Sequence, residues 1–339
     1  DGCVDIIRME TGQIARERDQ RLYQAAAQHL KAQGRAGPRV VQTIKMDRRI
    51  FRSLWHIRRQ GRALMYVSTM VEPETWGRTA FHRWVNLQLQ VWSQRIFDAV
   101  VVGSPVMAAA QRRMGVSPRR LHIISHGVDI GRFQPAAGAR PPLATALPPN
   151  AKICLYVGHL IPRKGVATLL EAWSAVAEKH PDAWLVLVGS VHRPTISSEQ
   201  ERSEIATYQT ALFKDLQALP RVLHIPQQPD IERWYQMADV FVFPSTQEGF
   251  PNALLEAMST GLPCLTRRFM GFPEGQLGES QGVIRVVEDP PAAWAAAMSS
   301  LLGDSALRSQ MGGAAREVIV RDHALDKTLD AYASLYHRL

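Results

Sequence analysis

Two glutamates eight positions apart, Glu248 and Glu256 in the stretch EGFPNALLEAMSTGLPC, have the types and spacing to do chemistry. Glu248 stands at a Gly/Pro corner, and Glu256 lies inside an apolar run that reads as a helix from about Asn252, stopped by Gly261 and Pro263. A carboxylate in apolar surroundings is costly unless something pairs with it or hydrogen-bonds to it. Glu256, flanked by Leu254, Leu255, Ala257 and Met258, could accept two hydrogen bonds from a vicinal diol such as a nucleotide ribose. Glu248, nearer the corner, would then meet a second polyhydroxyl group. The alternative for Glu256 is a solvated acid favoured by the helix dipole.

A second set of candidates is cationic. Gly158 ends the apolar run ICLYVG, and His159, Arg163 and Lys164 sit on the loop before a helix that starts near Gly165. The free N–H groups and dipole of a helix N-terminus favour an anion, so added cations suit a phosphate or diphosphate. An exposed basic turn is the bland alternative. The loop is neither GxxxxGK[ST] nor GxGxxG, so the known signatures of P-loop and dinucleotide sites are absent.

These candidates follow apolar runs that alternate with amphipathic stretches. Val4–Met9, Arg39–Met46, Ala63–Thr69, Asp98–Ser104 and Leu121–Gly127 come first. After the Pro/Ala/Gly-rich segment Gln134–Asn150 the rhythm restarts with AKICLYVG, AWLVLVGS, RVLHIP, DVFVFPS and LPCLTR. Such alternation predicts α/β architecture with parallel sheets, split at that segment into two domains. At 339 residues the chain is long enough for two domains of about 150 residues each. Ligands of parallel sheets bind beyond the carboxyl ends of the strands, where both candidate sets lie.

Composition narrows the class. Cys3, Cys154 and Cys264 are far apart and show no metal-ligand spacing, so neither a disulfide framework nor a zinc site is expected, and a reducing, cytoplasmic compartment is the default. No apolar run approaches the roughly 18 residues of a membrane span, and no signal peptide opens the sequence. Residues 1–150 hold 23 Lys/Arg against 10 Asp/Glu, and the remainder 17 against 21. The basic half suggests an anionic partner or a merely solvated surface; nucleic acid is not expected, because no RNP aromatics, zinc fingers or helix-turn-helix are present.

Taken together, Glu248 and Glu256 resemble the EX7E motif of retaining GT-B glycosyltransferases, specifically glycosyltransferase family four. ISHGVDIGRFQP (Ile124–Pro135) is similar to the family's GVD segment, and VGHLIPRKGVATLLEAW to its GRL…KG segment; ADVFVFPS, GLPCLT and GFPE (Gly271–Glu274) match in order. The resemblance covers about Phe97 to Leu339. It implies two Rossmann-like domains facing a cleft: 1–140 on the acceptor side, 150–322 holding the nucleotide-sugar donor, and a final helix, 323–339, returning towards the first domain.

The resemblance also implies roles. Lys164 matches the lysine that stabilises the departing diphosphate, with Arg163 and His159 beside it; Glu248 matches the glutamate at the transferred sugar and Glu256 the one at the ribose. Gly158 and the loop Gly249, Phe250, Pro251, Asn252 and Ala253 match the surroundings of the sugar and phosphates. Neither metal nor cofactor is implied, only a UDP-, GDP- or ADP-sugar as donor. His159 replaces the arginine of GRL, Met270 stands where a glycine is usual, and Met70 where many members carry a histidine. The glycine-rich loop after the family's first strand is not visible, and the chain opens at Asp1 rather than Met. Either the start of the first domain is missing or the acceptor side is built differently.

Phe51–Arg62 and Phe81–Phe97 mix Trp, Phe and Leu with Arg at helical spacing, as interfacial helices do and as core helices over a sheet also do. With the resemblance, the interfacial reading implies a glycan or lipid-linked acceptor reached from the inner face of a membrane, as in bacterial polysaccharide or glycolipid synthesis. The alternatives are a catalytically degenerate nucleotide-sugar binder and a GT-B relative that isomerises or phosphorolyses.

Overall fold

The computed structural model describes residues 40–43, 51–68, 91, 94–135, 141–190 and 199–339. The expected strand Val4–Met9, most of Phe81–Phe97, Cys3 and Met70 lie outside them. In chain order the elements are β1 (Val40–Thr43), α1 (Phe51–Arg59), β2 (Ala63–Ser68), β3 (Ala99–Val102), α2 (Pro105–Arg113), β4 (Leu121–Ile123), β5 (Lys152–Val157), α3 (Val166–Lys179) and β6 (Ala183–Val188). They continue with α4 (Glu199–Ala218), β7 (Val222–Ile225), α5 (Ile231–Met237), β8 (Val240–Phe243), α6 (Asn252–Ser259), β9 (Cys264–Thr266), β10 (Arg285–Val286), α7 (Pro291–Gly303), α8 (Ser305–Asp322) and α9 (Leu325–Arg338). Among the described residues the expected strand and helix rhythm is present; β10, two residues long, has no counterpart in the sequence reading.

Two units result, one from residues up to Ser125 together with Leu329–Leu339, the other from His126–Thr328. The division falls upstream of the expected linker, and packing explains why. Val128 and Phe133 are buried in the core of the second unit, where Val128 N–H donates to His323 at 2.8 Å and the Ser259 hydroxyl donates to the Phe133 carbonyl. Within the Pro/Ala/Gly-rich segment Ala144 and Leu147 are buried in the same core, so its later part, which reads as linker by composition, packs with the domain. Helix α9 begins in the second unit, and its later turns belong to the first.

The first unit's sheet is parallel, in the order β1-β2-β3-β4. Alternation along β2 divides its side chains. Leu64 and Tyr66 pack with Leu54 and Ile57 of α1, whereas Met65 and Val67 pack with Ala99, Val101 and Leu335 of α9.

The second unit's sheet is also parallel, in the order β10-β9-β8-β5-β6-β7. Its strands are apolar on both faces, as strands covered by helices on both sides must be. Ile153, Leu155, Val186, Phe241 and Phe243 meet Trp234 and Tyr235 of α5, Leu254, Leu255 and Met258 of α6 and Ile319 of α8. Cys154, Tyr156, Leu185, Leu187, Val240 and Val242 meet Leu169, Trp173 and Val176 of α3, Leu212 of α4 and Trp294 and Leu301 of α7. Helix α8 approaches the end of α6 closely at Gly312, where a Cβ would collide with the Gly261 carbonyl. Strand order reverses between β5 and β8, which pair directly through Cys154 with Val240 and Leu155 with Phe241.

Leu335 is almost fully buried against β2 and β3. Leu335→Ala is therefore expected to destabilise the first unit by about 2–5 kcal/mol, read as a lowered transition for that unit in scanning calorimetry. An unchanged transition would mean that α9 adds nothing to its core.

Candidate functional site

The reversal of strand order places two loops side by side at the carboxyl ends of β5 and β8. After β5 the chain turns at Gly158, makes a single 3-10 turn at Pro162–Lys164, and enters α3 through Gly165. Gly165 is left-handed, φ 70°, and a Cβ there would collide with the Pro244 carbonyl of the neighbouring loop. Glycine thus lets the two loops touch. Thr246 completes the junction, donating to the Arg163 carbonyl from its N–H at 2.8 Å and from its hydroxyl at 3.0 Å.

Across that junction Lys164 Nζ donates to Glu248 Oε1 at 2.6 Å. Side-chain exposure is 14% for the lysine and 8% for the glutamate, so the pair is largely desolvated. Arg163 lies 3.9 Å from the other carboxylate oxygen and donates to the Gln247 carbonyl at 3.0 Å. Lys164 Nζ also stands 5.7 Å from the Phe243 ring centroid. Glu248 is fixed through its backbone too, because its N–H donates to the Met270 carbonyl at 3.1 Å while the Met270 N–H donates to Thr246 at 2.8 Å. Met270 therefore works here as a short extra strand pairing, which its side chain does not hinder.

His159 enters through its main chain, whose carbonyl accepts from the Tyr156 hydroxyl at 2.9 Å. Gly158 continues the pairing of β5 with β6, donating to Val188 at 3.0 Å. Past Glu248, Gly249 and Phe250 form the corner, and the carbonyl of Pro251, the N-cap of α6, accepts from Leu254 at 3.0 Å and Leu255 at 3.1 Å. Neither N-cap residue, Pro251 of α6 or Gly165 of α3, caps its helix with a side chain, so among the described residues both N-termini keep main-chain N–H groups suited to an anion. Asn252, at the first turn, has its Oδ1 3.0 Å from His126 Nδ1, and the His126 ring stacks on Phe250 at 4.5 Å. Ala253 packs partly against the core.

Glu256 lies on the second turn of α6, and its environment differs from that of Glu248. Its Oε2 accepts from the buried Tyr235 hydroxyl at 2.9 Å. Burial pushes the Glu256 carboxyl above the usual carboxylate range, opposed by the Tyr235 hydrogen bond and the charge of Arg132. Arg132 itself is held by Glu232 at 2.8 Å and by the Pro229 carbonyl at 2.8 Å.

The structure thus brings Lys164, Arg163 and Glu248 into one cluster at the reversal, with Gly249–Ala253 leading into α6 and Glu256 one turn further on. Sequence reasoning missed three contributors: Tyr235, Arg132 and the His126–Asn252 bond. The first carried no signal, since a tyrosine in an apolar helix reads as core. Among the described residues no group of three His, Cys, Asp or Glu side chains is arranged to hold a metal ion, and no helix is long and apolar enough to cross a membrane. The thiols of Cys154 and Cys264 are buried, which holds them far above the usual thiol range.

The family described as glycosyl transferases group 1 matches residues 144–318. The chain is 29% identical over 226 residues to a D-inositol 3-phosphate glycosyltransferase of Corynebacterium efficiens, covering 65% of this chain and 51% of that protein. It is 33% identical over 164 residues to a UDP-Gal:alpha-D-GlcNAc-diphosphoundecaprenol alpha-1,3-galactosyltransferase of Escherichia coli, covering 47% of this chain and 40% of the relative. The chain spans about half the length of the curated relatives it matches. Among solved structures, Anabaena Alr3699/HepE in complex with UDP matches with TM-score 0.74 at 17% identity over 94% of this chain and 82% of that one. Sucrose-phosphate synthase from Thermosynechococcus elongatus matches with TM-score 0.74 at 23% identity over 96% and 80%.

Two outcomes follow from the geometry. Lys164→Met leaves Glu248 buried without its nearest cation and is expected to cost about 1–3 kcal/mol. Adding Glu248→Gln should recover part of that, giving a coupling energy of about 0.5–3 kcal/mol in a urea-unfolding double-mutant cycle; strict additivity would mean the pair contributes nothing. The second outcome concerns pH. Because folding raises the Glu256 carboxyl, keeping it ionised at neutral pH costs stability; that cost starts to shrink as pH falls through the raised value and is gone below the ordinary carboxylate value of the unfolded chain. Glu256→Gln should accordingly melt above the parent chain at pH 7, with the gap closing towards about pH 4; a gap that ignores pH would contradict this.

Proposed function

The chain belongs to the glycosyl transferases group 1 family and has the GT-B fold, and from that premise we propose that it is a retaining glycosyltransferase. In this reading it moves a sugar from a UDP-, GDP- or ADP-sugar to an acceptor hydroxyl. The observation that carries the proposal is the meeting of Lys164 with Glu248 at the strand-order reversal, beside two helix N-termini whose N-cap residues, Gly165 and Pro251, make no side-chain cap.

The chemistry follows from where charge develops. Breaking the bond between the anomeric carbon and the diphosphate leaves negative charge on the phosphates and an oxocarbenium-like sugar. Preorganised positive charge at the leaving group is then the main source of rate. Lys164, Arg163 and the N-terminus of α3 supply it without a metal. A donor phosphate competes with Glu248 for Lys164, and Glu248, freed at one oxygen, turns its acceptor capacity to the hydroxyls of the transferred sugar. The amides opening α6 face the phosphates, and Glu256 accepts the ribose diol. The new bond forms on the face the diphosphate leaves, whose oxygen takes the acceptor's proton, so configuration is retained.

The acceptor side draws on the first unit. Helix α1 buries Ser53, Leu54 and Ile57 against the sheet, as a core helix does, and presents Arg52, Trp55, His56 and Arg59 to solvent. Trp55 is 44% exposed and lies under the Arg59 guanidinium at 4.5 Å. Exposed Trp beside Arg suits an anionic membrane surface. With the diphosphoundecaprenol-linked acceptor named for the Escherichia coli relative, this favours a glycan or lipid-linked acceptor met at the inner face of a membrane, in bacterial polysaccharide or glycolipid synthesis.

A donor screen with UDP-, GDP- and ADP-sugars tests the proposal, following nucleoside diphosphate release. One donor should be turned over. Lys164→Ala is expected to lower kcat about 10²–10³-fold, and Glu256→Ala to raise KM for the donor at least about tenfold. Binding without release would instead identify a degenerate donor-binding relative. Label recovered in free sugar or sugar phosphate would identify an isomerase or phosphorylase.

A further inference from the structure

Tyr235 is a buried phenol that the transfer chemistry above leaves without a task. We propose that Tyr235 is a positioning residue for donor recognition: its hydroxyl fixes one oxygen of Glu256 and so presents the other to the ribose diol. The inference rests on the reading of Glu256 as the ribose acceptor.

Three observations carry it. Tyr235 is fully buried, and its ring is clamped by Phe133, edge-on at 5.9 Å, and by Phe241 at 5.6 Å, so the hydroxyl has one fixed direction. That direction ends on Glu256 Oε2 at 2.9 Å, where an ionised carboxylate can only accept and the phenol therefore donates. The other end of Glu256 is fixed as well, since its carbonyl accepts from the Thr260 N–H at 3.0 Å and from the Thr260 hydroxyl at 2.8 Å. With its main chain held in the helix and Oε2 bonded to a fixed phenol, the side chain has less freedom left to lose when it binds a diol. Because the phenol is neutral, it orders the carboxylate without cancelling its charge, as a lysine or arginine partner would.

Among the described residues, the charged and titratable groups that act on this pair are Arg132 and Cys264. Tyr235 comes from α5 and Arg132 from the segment after β4, and Cys264 of β9 lies near the phenol. Burial favours the neutral acid at Glu256, while the Tyr235 bond and Arg132 favour the ionised form. Removing the hydroxyl shifts that balance towards the neutral acid, which at any given pH leaves less carboxylate to accept the diol.

The experiment uses the whole chain and isothermal titration between pH 5 and pH 8 with UDP, GDP and ADP, each beside its 2′,3′-dideoxy form. Tyr235→Phe keeps the ring and removes the hydroxyl. It is expected to weaken binding of the preferred ribonucleotide about tenfold, leave the dideoxy form unchanged, and move the acid midpoint of binding to higher pH. Site-specific 3-fluorotyrosine at position 235, a more acidic phenol, should move the midpoint to lower pH; it decides the matter should Tyr235→Phe not fold. An unchanged ribose preference together with an unchanged midpoint would reduce Tyr235 to packing and overturn the inference. A different failure belongs to the underlying reading: if the parent chain and Glu256→Ala alike fail to distinguish ribose from dideoxyribose, Glu256 is not the ribose acceptor and the inference falls with it.

Discussion

Adjacent parallel strands whose following helices leave to opposite faces of a sheet must part at their carboxyl ends, and this constraint organises the second unit. Helix α3, following β5, packs on the face of Cys154 and Tyr156, whereas α6, following β8, packs on the face of Ile153 and Leu155. The loops between strand and helix therefore begin side by side and diverge, opening a crevice with a helix N-terminus on each side. The contacts between these two loops are fitted to that opening. Gly165 lets the loops touch, Thr246 bonds them, and Lys164 and Glu248 join across them although they are 84 positions apart.

The sequence disclosed this arrangement unevenly, for reasons of interaction range. Buried parallel strands are continuous apolar runs, so β5, β6, β8 and β9 were legible from composition alone, and the residues after them could be singled out because ligands gather there. The two-residue β10 has no such run, and its register with Leu265 and Thr266 is set by the neighbouring strand. The segment Gln134–Asn150 misled for the opposite reason. Proline and glycine report local backbone preference, whereas the burial of Ala144 and Leu147 depends on a surface supplied by distant parts of the chain.

The site residues divide along the same line. Glu248, Lys164 and Glu256 could be selected as individuals, because an acid in an apolar helix and cations before a helix are local anomalies. Their partners could not. Nothing local says that Glu248 will meet Lys164 while Glu256 meets Tyr235, because both contacts are made only when β5, α5, β8 and α6 assemble. Arg132 is a sharper case, since it precedes the proline-rich segment and reaches Glu232, 100 positions away, by packing that composition does not encode.

The choice of partner separates two chemically identical side chains. Glu248 is bonded to an ammonium, and the net charge of the pair is near zero; in the proposed reading it keeps that cation in place until a donor phosphate takes it over, and its freed oxygen then accepts the hydroxyls of the transferred sugar. Glu256 is bonded to a neutral phenol, keeps its charge when ionised, and is buried enough to resist ionisation. Stability alone would not favour such a group, since an amide or an apolar residue would fill the space at less cost. A buried acid whose ionisation is opposed by its surroundings fits the proposed reading of Glu256 as a binding group better than a role in stability. A phenol partner orders it while leaving its charge in place.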